Sequence, residues 1–210
     1  MPARRPAVLP GVLLAGLLAL VGGLLVVPAP AAQAATGPRY AVITFHKNYR
    51  DTHRSTLTWE VFRKVDGKRR TVERREWRAG SGYFRDSTNA CRRNNGWLPS
   101  GAYRPRLFRD YPGRFIKGRA IYLGQKRCAD GTLRRDLFIH TEQGAGSRQC
   151  PDRKGDQACR WEWPRFNDYK SYGCIKMAPG DLRELVNVYH QHFGAGVRYA
   201  KARVVLRVID

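Results

Sequence analysis

The sequence predicts a mainly β domain, a sandwich or partly closed barrel carrying one pronounced helix. Two observations lead there. From Arg39 onward, short runs rich in β-branched and aromatic residues alternate with turn signals. Only the stretch beginning at Pro179 repeats its apolar residues at helical spacing. Many strands and a single helix make a sheet-dominated core, not an alternating strand–helix fold.

A leader precedes those strands. Arg4 and Arg5 are followed by a 20-residue apolar run, Val8–Val27, and then by Ala32-Gln33-Ala34. A basic start, an apolar middle and a small-residue cleavage motif make residues 1–34 a secretory signal peptide. Left uncleaved, the run is long enough to anchor the chain in a membrane. Pro10, Gly22, Gly23 and the small-residue motif favour cleavage. About 176 residues then remain (210 − 34), with 38–210 forming one domain able to bury a substantial core.

The strands follow in order. "YAVITF" (Tyr40–Phe45) and "TLTWEVFRKV" (Thr56–Val65) have strand composition and partial alternation, and Asp66-Gly67 then offers a hairpin turn into "TVERREW" (Thr71–Trp77). Gly80, Gly82 and the polar run "DSTNACRRNNG" read as a loop ending at "WLPSGAY". "GRAIYLG" (Gly118–Gly124), "DLFIH" (Asp136–His140) and the closing "ARVVLRVI" (Ala202–Ile209) complete the set. In the helix, Pro179 suits the first turn, Asp181 and Glu184 follow it, and Leu182, Leu185, Val186 and Tyr189 share a face. His190 and His192 lie near its end, where positive charge suits the dipole. Between His140 and Cys174 runs a long Gly-, Asp- and Arg-rich, then aromatic segment, and ordered loops of that length tend to be functional. Its Trp161, Trp163, Phe166 and Tyr169 either line a groove or pack the loop onto the domain.

Lys and Arg number 39 against 17 Asp and Glu, for a net charge of +22 spread along the whole chain. Such a field draws polyanions: anionic cell-wall polymers, lipid headgroups or extracellular nucleic acid. No recognisable nucleic-acid module accompanies the charge, so nucleic acid is not the expected partner.

The five cysteines are Cys91, Cys128, Cys150, Cys159 and Cys174. An odd count in an exported chain leaves one thiol over. Four cysteines allow three pairings. The preferred one joins Cys150 to Cys159 across the long loop and Cys91 to Cys128, leaving Cys174 free. No C-x2–4-C or H-x3–5-H spacing occurs, so neither a metal nor another cofactor is expected. Gly173 before Cys174 permits a tight turn whose backbone N–H groups could face an oxyanion. A thiol nucleophile needs a base from a distant segment. His140, ending a strand, is the best placed of the five histidines: His190 and His192 end a helix, and His46 and His53 sit by the first strands. The bland alternatives are a small buried Cys174 and a core His140.

"FIH" followed, after a variable loop, by "SYGCIKM" resembles the L,D-transpeptidase (YkuD-type) catalytic-domain family. Ser171, Gly173, Cys174, Ile175 and Met177 match its Ser-His-Gly-Cys-Ile-Arg-Met-like segment, and a helix follows as it should. "RAGSG" and "WLPSGAY" look like upstream family segments, so the resemblance spans most of the chain after the leader. Tyr172 replaces the family's usual His, Lys176 replaces its Arg, and the gap of 34 positions from His140 to Cys174 is long for the family. The resemblance implies an exported, cell-wall-associated cysteine acyltransferase acting on peptidoglycan stem peptides. Cys174, deprotonated by His140, would attack the third stem residue's carbonyl and expel D-alanine. An amine would then resolve the thioester into a 3→3 cross-link. It also implies that Gly173 shapes the oxyanion site, that Thr141 holds the small or hydroxyl position after the His, and that Ser171, Tyr172 and Lys176 meet substrate. Water in place of the amine would give an L,D-carboxypeptidase. A non-catalytic, basic wall-polymer-binding domain is the competing expectation.

Overall fold

The structure, a computed structural model, describes residues 37–194 and 200–210. The signal expected over 1–34 lies outside them. Among the described residues there are nine strands: β1 Arg39–His46, β2 Ser55–Val65, β3 Lys68–Ala79, β4 Gly101–Tyr103, β5 Arg106–Pro112, β6 Lys117–Arg127, β7 Leu133–His140, β8 Ile175–Lys176 and β9 Val204–Ile209. The long helix is α1, Pro179–Phe193, and a single turn of helix, α2, spans Ala200–Arg203. The class is mainly β. The strands form two mixed sheets, ordered β3-β2-β1-β9-β4 and β5-β6-β7-β8. Among the described residues neither sheet closes into a barrel.

The local reasons are those of the sequence. Asp66 and Gly67 both take positive φ (51° and 73°), giving a two-residue hairpin turn whose twist matches the β2–β3 ribbon. Pro179 opens α1 where its missing N–H costs nothing. Leu182, Leu185, Val186 and Tyr189 are buried as their spacing requires. Ile43, Phe45, Leu57 and Trp59 of the first sheet share one core with Ile121, Leu137 and Ile139 of the second and with α1. Trp59 is fully buried, its ring 5.8 Å from Tyr189 and 5.9 Å from Phe193.

Four elements depart from the sequence reading, the first being β4, a three-residue strand inside "WLPSGAY". β5, "RLFRDYP", is charged and ends in proline, which disguises it; it is the edge of its sheet, where charge and proline are tolerated. β8 is only two residues long, too short for any periodicity. The closing strand starts at Val204, not Ala202, because α2 takes Ala202 and Arg203.

β8 matters most for position. It runs parallel to β7, pairing Ile139 with Ile175 and His140 with Lys176. Its other side bridges to Gly80 at the end of β3, through Lys176 N to Gly80 O (2.8 Å) and Gly80 N to Lys176 O (2.9 Å). This short strand therefore ties the two sheets together and fixes Cys174 beside the C-terminal end of β7.

Candidate active site

The turn before β8 is held on several sides. Ser171 N donates to Gly82 O (2.8 Å), and the Ser171 hydroxyl donates to Cys174 O (2.5 Å) and accepts from Gly173 N (3.3 Å). Ser171, expected to meet substrate, also holds the shape of the turn. Gly173 takes φ +113°, a region open essentially to glycine. Any Cβ there would lie 1.9 Å from Arg134 Nη2.

Arg134 is the residue the sequence reading missed. It sits in β7, only 3% exposed, and has no carboxylate partner among its hydrogen bonds. Its guanidinium donates to four backbone carbonyls: Ala90, Trp97 (3.4 Å), Gly96 (3.1 Å) and Tyr172 (3.0 Å). It therefore clamps the 86–97 loop to the Ser171–Cys174 turn. The sole signal was an arginine among the strand residues of "LRRDLFIH", and nothing there distinguishes it from Arg135.

Cys174 and His140 line one cavity of about 540 Å³, together with Thr141, Ser171, Tyr172 and Lys176. The expected site residues are therefore brought together, Gly173 at their edge. The Cys174 thiol points to the Asp136 carbonyl (3.5 Å), which a positive φ of 53° at Asp136 turns out of the strand ladder. His140 Nδ1 lies 3.2 Å from Thr141 O. A carbonyl only accepts, so Nδ1 carries the proton and Nε2 is the basic nitrogen. The described contacts include no hydrogen bond between His140 and Cys174.

Burial dominates the titration of both groups. It drives His140 down to about 3, the Lys176 charge adding to the fall and the Thr141 carbonyl opposing it. Cys174 keeps part of its surface at the cavity wall, yet crowding around the sulfur pushes the thiol up to about 11 against the pull of Lys176 and Arg134. At neutral pH the resting pair is a neutral thiol and a neutral imidazole. Opposite charges on ring and sulfur would offset that burial only within hydrogen-bond reach of each other.

The other expected residues divide. Thr141 is buried with its hydroxyl unpartnered. Tyr172 is 63% exposed and stacks on Tyr83 (5.2 Å between centroids, 8° between planes). Lys176, expected to meet substrate, lines the cavity and forms a buried ion pair with Glu142. Of the loop aromatics, none lines the cavity: Trp161 and Trp163 pack on Tyr169, and Arg78 of β3 lies over the Trp163 and Tyr169 rings at 4.5 and 3.9 Å. They pack the loop onto the domain.

The expected Cys150–Cys159 disulfide is present. The expected Cys91–Cys128 bond is not: both are thiols, with sulfur atoms within 4.8 Å of each other and of an Asp130 oxygen. The two loops are adjacent, as the pairing required, but not cross-linked.

Comparison with known proteins adds little. No family model matches the chain, and no curated protein matches it. A solved structure, that of Bdellovibrio bacteriovorus Bd1075, is similar at a TM-score of 0.42 and 14% identity, over 83% of this chain and 49% of that one. The chain thus spans about half the length of that protein.

Proposed function

We propose that the chain is an exported cysteine L,D-transpeptidase of peptidoglycan stem peptides, with Cys174 as nucleophile and His140 as its base. One observation carries this reading: a free cysteine behind a glycine of positive φ shares a single cavity with the histidine that ends the adjoining parallel strand. A metal is not needed for that chemistry. Nε2 of His140 takes the thiol proton as sulfur adds to the stem carbonyl, and the Cys174 N–H of the turn meets the oxyanion, the Gly173 N–H being held by Ser171. The imidazolium then returns the proton to the departing D-alanine nitrogen, leaving a thioester. A stem amine or water resolves it, giving a cross-link or a trimmed peptide respectively. The finer fold, an L,D-transpeptidase-like sandwich, is part of the same proposal. The excess of basic residues supports retention on anionic wall polymers.

The test is intact-mass spectrometry after treatment with a carbapenem, a drug class that acylates the thiol of the family the sequence resembles. One drug mass on the wild-type chain and none on Cys174→Ala is the expected result. An unmodified wild type, folded and with Cys174 reduced, would leave the non-catalytic wall-binding reading in its place.

A further inference from the structure

Three carboxylates converge beside His140. Glu142 follows it by two residues, and Asp156 and Asp168 come from the long loop; one oxygen of each lies within 4.8 Å of the others. Glu142 and Asp156 also line the Cys174 cavity. Two lysines on the same wall already engage the group: Lys176 donates to Glu142 Oε1, and Lys170 donates to Asp156 Oδ2 at 2.6 Å. Three carboxylates against two ammonium groups leave one negative charge uncompensated.

Two oxygens of this group are also unsatisfied. Glu142 is 6% exposed and Asp168 fully buried, yet Glu142 Oε2 and Asp168 Oδ1 have no hydrogen-bond partner. Asp168 spends its other oxygen on the Glu162 and Trp163 amides. Buried acceptors left bare cost more than a net hydrogen bond returns, so such a pair marks a place where a donor belongs. Burial and mutual repulsion push Glu142 up to about 7 and raise Asp168, so a bound proton can also supply the missing charge.

We propose that Glu142, Asp156 and Asp168 form a subsite for a primary ammonium group of the substrate, beside the Cys174 nucleophile. The inference rests on the peptidyl-transfer reading for what the neighbouring cavity does. A primary ammonium brings one positive charge and three N–H donors, matching the single charge and the bare oxygens. A divalent cation fits less well, because with Lys170 and Lys176 in place it would leave the group net positive. The subsite selects acyl donors or acceptors whose side chain ends in a free amine over neutral isosteres.

The test titrates Nα-acetyl-L-lysine methylamide and its norleucine counterpart, identical but for the ammonium, into the full chain, followed by NMR chemical shifts. The lysine probe is expected to bind about tenfold more tightly, equivalent to about 1.4 kcal/mol. Glu142→Gln and Asp168→Asn should erase the preference. Asp156→Asn, at an exposed position, should reduce it with little effect on folding. Equal affinities for the two probes, a preference unchanged in all three variants, or loss of the preference in micromolar calcium would each overturn the subsite. The carbapenem adduct reports the nucleophile separately. An adduct without lysine preference sinks the subsite alone; lysine preference without an adduct sinks the transpeptidase reading and leaves a cation-binding pocket.

Discussion

A methyl group at position 173 would sit 1.9 Å from Arg134 Nη2 and 3.1 Å from the Gly96 carbonyl, on a backbone whose φ is +113°. Gly173→Ala must therefore either expel the guanidinium or flip the turn. It is expected to lose about 2–4 kcal/mol, from the strained φ and the lost hydrogen bonds together. It should also lose the Cys174 adduct. Urea unfolding and intact mass check the two effects, and an Ala variant as stable and as reactive as wild type would mean the clamp is dispensable. Arg134→Met removes the donor to four carbonyls at once and should cost about 2–4 kcal/mol, the loss of hydrogen bonds to a charged donor and the bare buried acceptors left behind. Arg134→Lys should recover only part of that, since one ammonium lacks the guanidinium's fork. Cys174 and His140 were legible because a cysteine behind glycine and a histidine ending a strand are chemically marked in the sequence. Arg134 and Asp168 were not. Their roles come from long-range packing: Arg134 reaches carbonyls 37 to 44 residues away, and a lone Asp in "RFNDYK" says nothing about where its carboxylate is buried.

The elements that carried a full pattern, from β1 to α1, were legible because their spacing is a local consequence of pleat or helix. The charged edge β5 and the two-residue β8 escaped because only their neighbours make them strands. The long loop was recognised as one piece, and the structure shows two devices holding it. One is the disulfide between Cys150 and Cys159, nine positions apart. The other is the stack of Arg78 on Trp163 and Tyr169. Closing so short a loop contributes about 2–3 kcal/mol by chain entropy. Replacing both cysteines by serine should therefore destabilise the loop by about that amount while the sheets stay folded. Hydrogen exchange would show faster exchange confined to about residues 142–170 and unchanged protection in β1, β2 and β9. Uniform loss of protection would mean that the loop and the sheets unfold as one unit.

At the scale of the whole molecule, the cavity's buried groups shape how stability depends on pH. His140 is held at about 3 in the fold against an ordinary 6.5, so between those values the unfolded chain binds the extra proton and stability rises with pH. Glu142 is held at about 7 against 4.5, so between those values the folded chain keeps the proton and stability falls with pH. The two oppose each other from about pH 4.5 to 6.5. Below that window Glu142 no longer opposes the histidine, whose contribution drops toward pH 3. Cys174, raised to about 11 from 9, adds a fall on the alkaline side between those values. Comparing wild type with His140→Gln isolates the histidine. The stability difference should move in favour of the wild type as pH rises from 3 to 6.5, by on the order of 3–5 kcal/mol, and stay constant above pH 7. A second comparison, with Glu142→Gln, should drift against the wild type from pH 4.5 to 7. Guanidinium unfolding at fixed pH steps reads both. If the His140 difference were flat across the acid range, the imidazole would titrate near its ordinary 6.5 in the fold, and burial would not be what governs its charge.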